Sequence, residues 1–299
     1  MTIRRLAVAP LIIATLALSG CGSSAARVNG TQDGKLAVVA SFYPLQYATQ
    51  QVGGDFVEVT SLTKPGAEPH DVELTPRDVA SVSKASLVVY ALGLQSAVDK
   101  AVTSQADDRS LDVTPAANLN LTLASGATDP HFWLDPQRYS AVATTIAERL
   151  GQLDPAHRSD YAKNATLFAG KLERLGQELT TGLAGCQRKD IVTSHSAFGY
   201  FAQRFGMTQV AINGLSPDQE PTAGALATVS AYARSHQVTT IYAETLVSPA
   251  IAATVAKESG ATLATLDPIE GLTEKSKGKD YFEVMRSNLK ALQAGQGCS

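Results

Sequence analysis

The chain has 299 residues, with 25 Lys and Arg against 28 Asp and Glu, a formal charge of −3, and 44% hydrophobic residues. A mildly acidic body without a basic run excludes nucleic acid as a partner. It leaves cation binding open.

At the start, Arg4 and Arg5 precede an apolar run from Leu6 to Leu18 that closes on Leu18-Ser19-Gly20-Cys21. The run is shorter than the roughly 20 residues a membrane span needs, and small residues stand before the cysteine. Residues 1–20 are therefore expected to be a lipoprotein signal peptide, with Cys21 as the lipidated first residue of the mature chain. An ordinary signal peptide with a coincidental cysteine is the duller reading. Residues 21–34 are polar and small, a flexible tether. Removing the signal leaves 23 basic against 28 acidic residues. Export also decides the cysteines. With Cys21 given to lipid, Cys186 and Cys298 remain as a pair in an oxidising compartment, where a disulfide is expected. It would close a loop of more than a hundred residues, worth roughly 4 kcal/mol in the loop-entropy account. Two free thiols or a soft metal site are the alternatives, but neither cysteine has a histidine or second cysteine at ligand spacing.

The roughly 265 residues that follow the tether exceed what one core usually organises, so two domains are expected. Short apolar runs rich in Val, Ile and Thr predict strands at Lys35 to Ala40, Val57 to Leu62, Leu87 to Tyr90, Asp190 to Thr193, Thr239 to Ala243 and Thr262 to Leu266. Helices between them start at Thr75-Pro76, Asp154-Pro155 and Ser248-Pro249, each a capping residue followed by proline. Strand and helix in alternation mean mostly parallel sheets covered by helices, an α/β fold. One stretch differs. Tyr161, Ala165, Phe168, Leu172, Leu175, Leu179 and Leu183 recur at steps of three and four, one apolar stripe along a helix that from Pro155 to Ala184 would run on the order of 45 Å. It is read as the connector of two lobes, at 35–153 and 185–299, with the helix at 154–184. The chain shows no internal repeat.

Chemistry concentrates in the five histidines. His70 lies in Glu68-Pro69-His70-Asp71, His131 in Asp129-Pro130-His131, and His195 directly after a predicted strand, as does Asp267 in Leu266-Asp267-Pro268. These four belong at or near the carboxyl ends of strands, where open parallel sheets hold ligands, two from each lobe. Three imidazoles and one carboxylate make a closed tetrahedral set for Zn2+ at about 2.0 to 2.1 Å, with Mn2+ second because manganese prefers more carboxylate. No thiolate contributes, and calcium and magnesium want oxygen donors. Ring nitrogens found more than about 5 Å apart, beyond what such an ion can bridge, would defeat this reading.

Singly, a histidine beside proline is a loop residue and an aspartate before proline a turn or cap. It is their equivalent placement on two lobes that favours metal. Glu244, ending the Thr239 to Ala243 strand, is an alternative ligand or an acceptor that orients an imidazole. Glu68, Asp71 and Asp135 are further carboxylates that could do the same, and Trp133 could wall off water. His157 and His236 sit in polar helical surroundings and are given no role.

Together these residues resemble the metal-specific solute-binding lipoproteins of bacterial ABC-type importers, in particular their zinc-binding branch. The resemblance spans nearly the whole mature chain: Ser41-Phe42-Tyr43-Pro44, Pro69-His70-Asp71, Asp129-Pro130-His131 through Asp135-Pro136, Ser194-His195 with Ala197 to Phe201, Tyr242-Ala243-Glu244 and Leu266-Asp267-Pro268. It implies two α/β lobes joined by a rigid long helix, metal held between them by His70, His131, His195 and Asp267, and a membrane permease as partner. His195, where manganese-binding relatives carry glutamate, tilts it toward zinc. Between Leu119 and Asp129 the chain lacks the long histidine- and acid-rich loop of many zinc-binding members. A monomeric, non-enzymatic carrier on the outer face of the bacterial cell membrane is the expectation. A secreted zinc hydrolase with Glu244 as base, and a surface adhesin on the same scaffold, are the rivals from other classes.

Overall fold

The structure, a computed structural model, describes residues 31–32, 34–123 and 125–299, together with Thr2. The expected signal peptide, Cys21 and most of the tether lie outside the described residues. Among the described residues, no helix is long and apolar enough to cross a membrane.

The first sheet contains β1 (Thr31–Gln32), β2 (Lys35–Ala40), β3 (Val57–Ser61), β4 (Leu87–Tyr90) and β5 (Ser110–Asp112). Its helices are α1 (Tyr43–Gly53), α2 (Pro76–Lys84), α3 (Ser96–Gln105), α4 (Thr114–Ala117) and α5 (Pro136–Leu153). Then comes α6 (Arg158–Ala184), 27 residues or about 40 Å long. The second sheet contains β6 (Asp190–Thr193), β7 (Thr208–Ala211), β8 (Thr240–Ala243) and β9 (Thr262–Thr265). With it run α7 (Gly199–Phe205), α8 (Ala223–Ser235), α9 (Ala250–Ser259) and α10 (Tyr281–Gln296).

In the first sheet β3 and β4 flank β2 and β5 lies beyond β4, all parallel, while β1 adds an antiparallel edge. The second sheet runs β7-β6-β8-β9, also parallel. Apart from β1, both lobes thus use one strand order: second, first, third, fourth. Sequence similarity between the halves does not reveal this repeat, because the topology needs only the apolar pattern of each strand. The order reverses beside the first strand of each sheet, and the connections after neighbouring strands there leave to opposite faces and open a crevice.

The seven stripe residues of α6 are all buried. They sit in one core that runs from Val38 and Val89 of the first sheet through α1, α5 and α6 to Ile191, Tyr242, Tyr281 and Leu292 of the second half. Smaller clusters cover the outer faces: Val39, Val82, Val88 and Val102 in the first lobe, Val192, Ile241, Val255 and Ala256 in the second. The lobes therefore share a spine and a core. Emptying a stripe position such as Phe168, 1% exposed, would cost about 3–5 kcal/mol.

The helix starts were legible, with two local shifts. Thr75 caps α2 in a reciprocal capping box with Asp78. After Asp154-Pro155 a single 3-10 turn at Pro155–His157 precedes α6, and the Asp154 carboxylate accepts from His157 Nδ1 at 2.6 Å and Tyr161 Oη at 2.8 Å instead of capping the helix. Pro249 is the N-cap residue of α9, which begins one residue later than expected. Cys186 and Cys298 form a disulfide across 112 residues, joining the end of α6 to the residues after α10.

Candidate metal centre

His131 and His195 are built into the structure in the same way. Asp129 Oδ1 accepts from the His131 backbone N at 3.0 Å and from its Nδ1 at 2.7 Å. Glu244 Oε1 accepts from the His195 backbone N at 3.1 Å and from its Nδ1 at 2.7 Å. His195 follows β6 and Glu244 follows β8, adjacent strands where the order of the second sheet reverses. Room for Asp129 comes from the other lobe: a Cβ on Gly199 would collide with its Oδ2. A neutral imidazole whose Nδ1–H donates to a carboxylate keeps a lone pair on Nε2. Both rings point that lone pair at the same place.

His70 arrives on the loop after β3, and its Nε2 lies 3.3 Å from His131 Nε2, which is 3.3 Å from His195 Nε2. The fourth atom at this point is Oε1 of Glu270, at 3.1 Å from His70, 3.1 Å from His131 and 3.3 Å from His195. Four ligands about 2.0 Å from a tetrahedral ion stand about 3.3 Å from one another. All five of these separations lie near that value. Glu270 Oε2 is buried with no hydrogen-bond partner among the described residues, as expected of a carboxylate oriented toward a cation.

The carboxylate expected at this point was that of Asp267, and the structure corrects this. Asp267 Oδ1 accepts from Ile269 N at 2.8 Å, and Oδ2 accepts from Thr245 Oγ1 at 2.9 Å and Ser276 Oγ at 3.3 Å. Asn288 on α10 brackets the Asp267 backbone, donating to its O at 2.7 Å and accepting from its N at 2.9 Å. With both oxygens engaged, Asp267 is the frame of a turn. Ile269 within it has φ 59°, a left-handed conformation costly for a β-branched residue, about 1–3 kcal/mol. That reversal swings Glu270 back to the histidines. The reading of Asp-Pro as a turn signal was the one that applied, and the glutamate three residues on is where it led.

Charge follows the geometry. Burial opposes charge on His195, but Glu244 and Glu270 outweigh it and hold the imidazole well above its ordinary value. Burial likewise opposes His131, whose pKa Asp129 and Glu270 nevertheless raise. Burial would push the Glu270 carboxyl up, yet His195 and His70 keep it well below the usual range. Burial raises Asp267 and also Glu68.

Trp133 is fully buried with its ring centroid 5.2 Å from that of His131, and its Nε1 donates to Pro268 O at 2.7 Å. It walls one side of the centre and ties the Glu270 loop to the first lobe. Asp135 caps α5 through Gln137 N at 2.9 Å and takes no part. His236 pairs with Asp190 and stacks on Tyr232, and His157 stacks on Phe56, so both are local.

Two parallel α/β lobes on a shared helical spine, with four acceptor atoms converging where the lobes meet, have the build of a solute-binding protein for metal ions. The family model described as zinc-uptake complex component A, periplasmic, matches residues 38–295, and the chain belongs to that family. The high-affinity zinc uptake system protein ZnuA of Bacillus subtilis is 35% identical over 297 residues, covering 93% of each chain. The zinc-binding lipoprotein AdcA of Streptococcus pneumoniae is 35% identical over 280 residues, 87% of this chain but only 56% of AdcA, so the chain spans just over half of that relative. Among solved structures, the Zn(II)-bound ZnuA-like domain of pneumococcal AdcA is 36% identical with a TM-score of 0.76, covering 88% of this chain and 99% of the domain. The laminin-binding protein Lmb of Streptococcus agalactiae is 34% identical with a TM-score of 0.80, covering 87% and 99%. The family is one of zinc uptake and binding, not of enzymes.

Proposed function

We propose that the chain captures Zn2+ between its lobes and delivers it to an ABC-type metal permease, with Mn2+ the second choice. The single observation that supports this most is the tetrahedron of Nε2 and Oε1 atoms, because lone pairs facing one another at 3.3 Å repel unless a cation or protons lie among them. Three imidazoles and one carboxylate suit zinc, and Glu270 takes the position that a zinc hydrolase leaves to water. In this reading His70, His131, His195 and Glu270 are ligands, while Glu244 and Asp129 orient two of the rings. Asp267 frames the turn that presents Glu270.

The carrier works as a monomer on the extracytoplasmic face, anchored by lipid on Cys21, with lobes at 35–153 and 185–299 around the helix 154–184. The stiff helix and shared core allow only a small opening. Release then follows from the permease pulling the two halves of the ligand set apart, with the imidazoles taking up protons as the ion leaves.

Elemental analysis of the purified protein, followed by competitive titration of Zn2+ and Mn2+ into the metal-free form, tests this. One tightly held zinc per chain, weakened by Glu270→Ala and shifted toward manganese by His195→Glu, is expected. Absence of stoichiometric zinc, or ester or peptide turnover by the loaded chain, would overturn it.

A further inference from the structure

The four donor side chains are sealed from solvent: His131 and His195 are 0% exposed, Glu270 1% and His70 4%. A divalent ion sheds its water unwillingly, and crossing such a wall without ligands costs far more than exchanging one ligand for the next. Some group must take the ion between bulk water and His70.

Glu68 is placed for this. Its side chain is 10% exposed, and Oε2 accepts from Asp71 N at 3.2 Å. Oε1 is buried, has no hydrogen-bond partner among the described residues, and faces His70 Nε2 at 4.0 Å. Two ligands on one ion at about 2 Å each can stand at most about 4 Å apart. An ion can therefore touch Glu68 and His70 at once. On its outer side Glu68 lies beside the exposed Asp71 and Asp218, the three offering one carboxylate oxygen each within 4.8 Å. Asp71 belongs to the first lobe and Asp218 to the second, and Asp71 Oδ2 accepts from Ser216 Oγ across the mouth at 3.2 Å. Among the described residues, no Lys or Arg forms an ion pair with any of these three carboxylates.

Building on the metal-capture reading of the centre, we propose that Glu68 is a transfer residue: it receives the incoming divalent cation at the acidic mouth and passes it to His70. It is not a ligand of the settled ion, since Glu270 Oε1 lies 3.1 to 3.3 Å from all three histidines and Glu68 approaches only one, at 4.0 Å. A transfer residue lowers the barrier in both directions, so it changes rates and spares affinity.

Trp133, the single tryptophan, stands against His131 and reports filling of the centre. In stopped-flow mixing of Zn2+ with the metal-free chain, Glu68→Gln should slow association about tenfold or more, within the range that charged entrances contribute. Release to a chelator should slow by a similar factor, with Kd within about threefold of wild type and one ion still bound. Glu68→Asp, which keeps the carboxylate, should restore most of the rate, and Asp218→Asn should give a smaller slowing that vanishes at high salt. An unchanged association rate in Glu68→Gln, or a weaker Kd at unchanged association rate, would overturn the proposal. If the wild-type chain itself takes up no stoichiometric zinc, the capture reading has failed instead.

Discussion

His131 and His195 are each held at two atoms by one carboxylate, whereas His70 stands on the long loop between β3 and α2, with no carboxylate on its Nδ1 among the described residues. The first pair has its tautomer and ring plane set before any ion arrives. His70 is oriented mainly by what it meets, Glu270 and His131. The centre thus divides into a preformed half and a half that completes it, and the completing half faces the acidic mouth. On the proposed reading, preorganisation would hold the ion and freedom at one ligand would let it enter.

Isothermal titration of alanine variants tests this division most directly. His131→Ala and His195→Ala should each weaken zinc by roughly a hundredfold or more, and His70→Ala by less, because it removes a ligand that was never preset. Equal losses at all three would dissolve the distinction. Next, Asp129→Asn and Glu244→Gln should each cost about ten- to a hundredfold by loosening a ring that keeps its ligand atom, while the charge-keeping Glu244→Asp costs less.

The pH response separates the halves again. In the metal-free protein the carboxylates raise the pKa of His131 and His195, so protons compete for Nε2 already above the ordinary imidazole value near 6.5. Zinc affinity should fall as pH falls from there. Glu270, held well below the usual range, keeps its charge throughout and is not the titrating group. Folding runs the other way: groups with raised folded pKa values stabilise fully below the unfolded value and lose that contribution as pH rises through the folded one. The melting temperature of the metal-free chain should therefore gain from mild acid while the increment added by zinc shrinks. Parallel trends in the two forms would contradict the coupling.

The smaller effects concern the frame. Asp267→Ala removes a buried carboxylate with three hydrogen-bonded contacts and should lower stability by about 1–3 kcal/mol in chemical denaturation, and weaken zinc only through Glu270. Thr75→Ala, remote from the centre, should cost about 1 kcal/mol through its capping box and leave zinc affinity alone.

How far the sequence reached follows the same physics. Strands buried on both faces read as plain apolar runs, so β2, β4 and β6 coincide with their expected ranges. The intermediate burial of Ser110–Asp112 left no such run, and the partly exposed Thr208–Ala211 left none for a similar reason. The stripe of α6 was legible because every member is buried. The three histidines were legible because turn residues surround each. Glu270 was not, since its position depends on a left-handed isoleucine that no propensity favours, and Asp129 looked like part of a turn rather than a partner of His131. What escaped the sequence was the orientation of side chains beyond a backbone reversal.

The cystine is no part of the histidine cluster, yet α10 links the two. That helix begins at Tyr281, whose hydroxyl donates to Trp133 O at 2.6 Å, carries Asn288 against Asp267, and ends beside Cys298. It works as a strut clamped at its far end, and the loop that aims the single carboxylate of the cage leans on its middle. In reducing surroundings the strut would lose only the covalent part of that clamp, because Gln296 Nε2 still donates to Asp190 O at 2.7 Å and Arg188 N to Gln296 O at 3.1 Å. The cystine therefore secures an end that hydrogen bonds already seat.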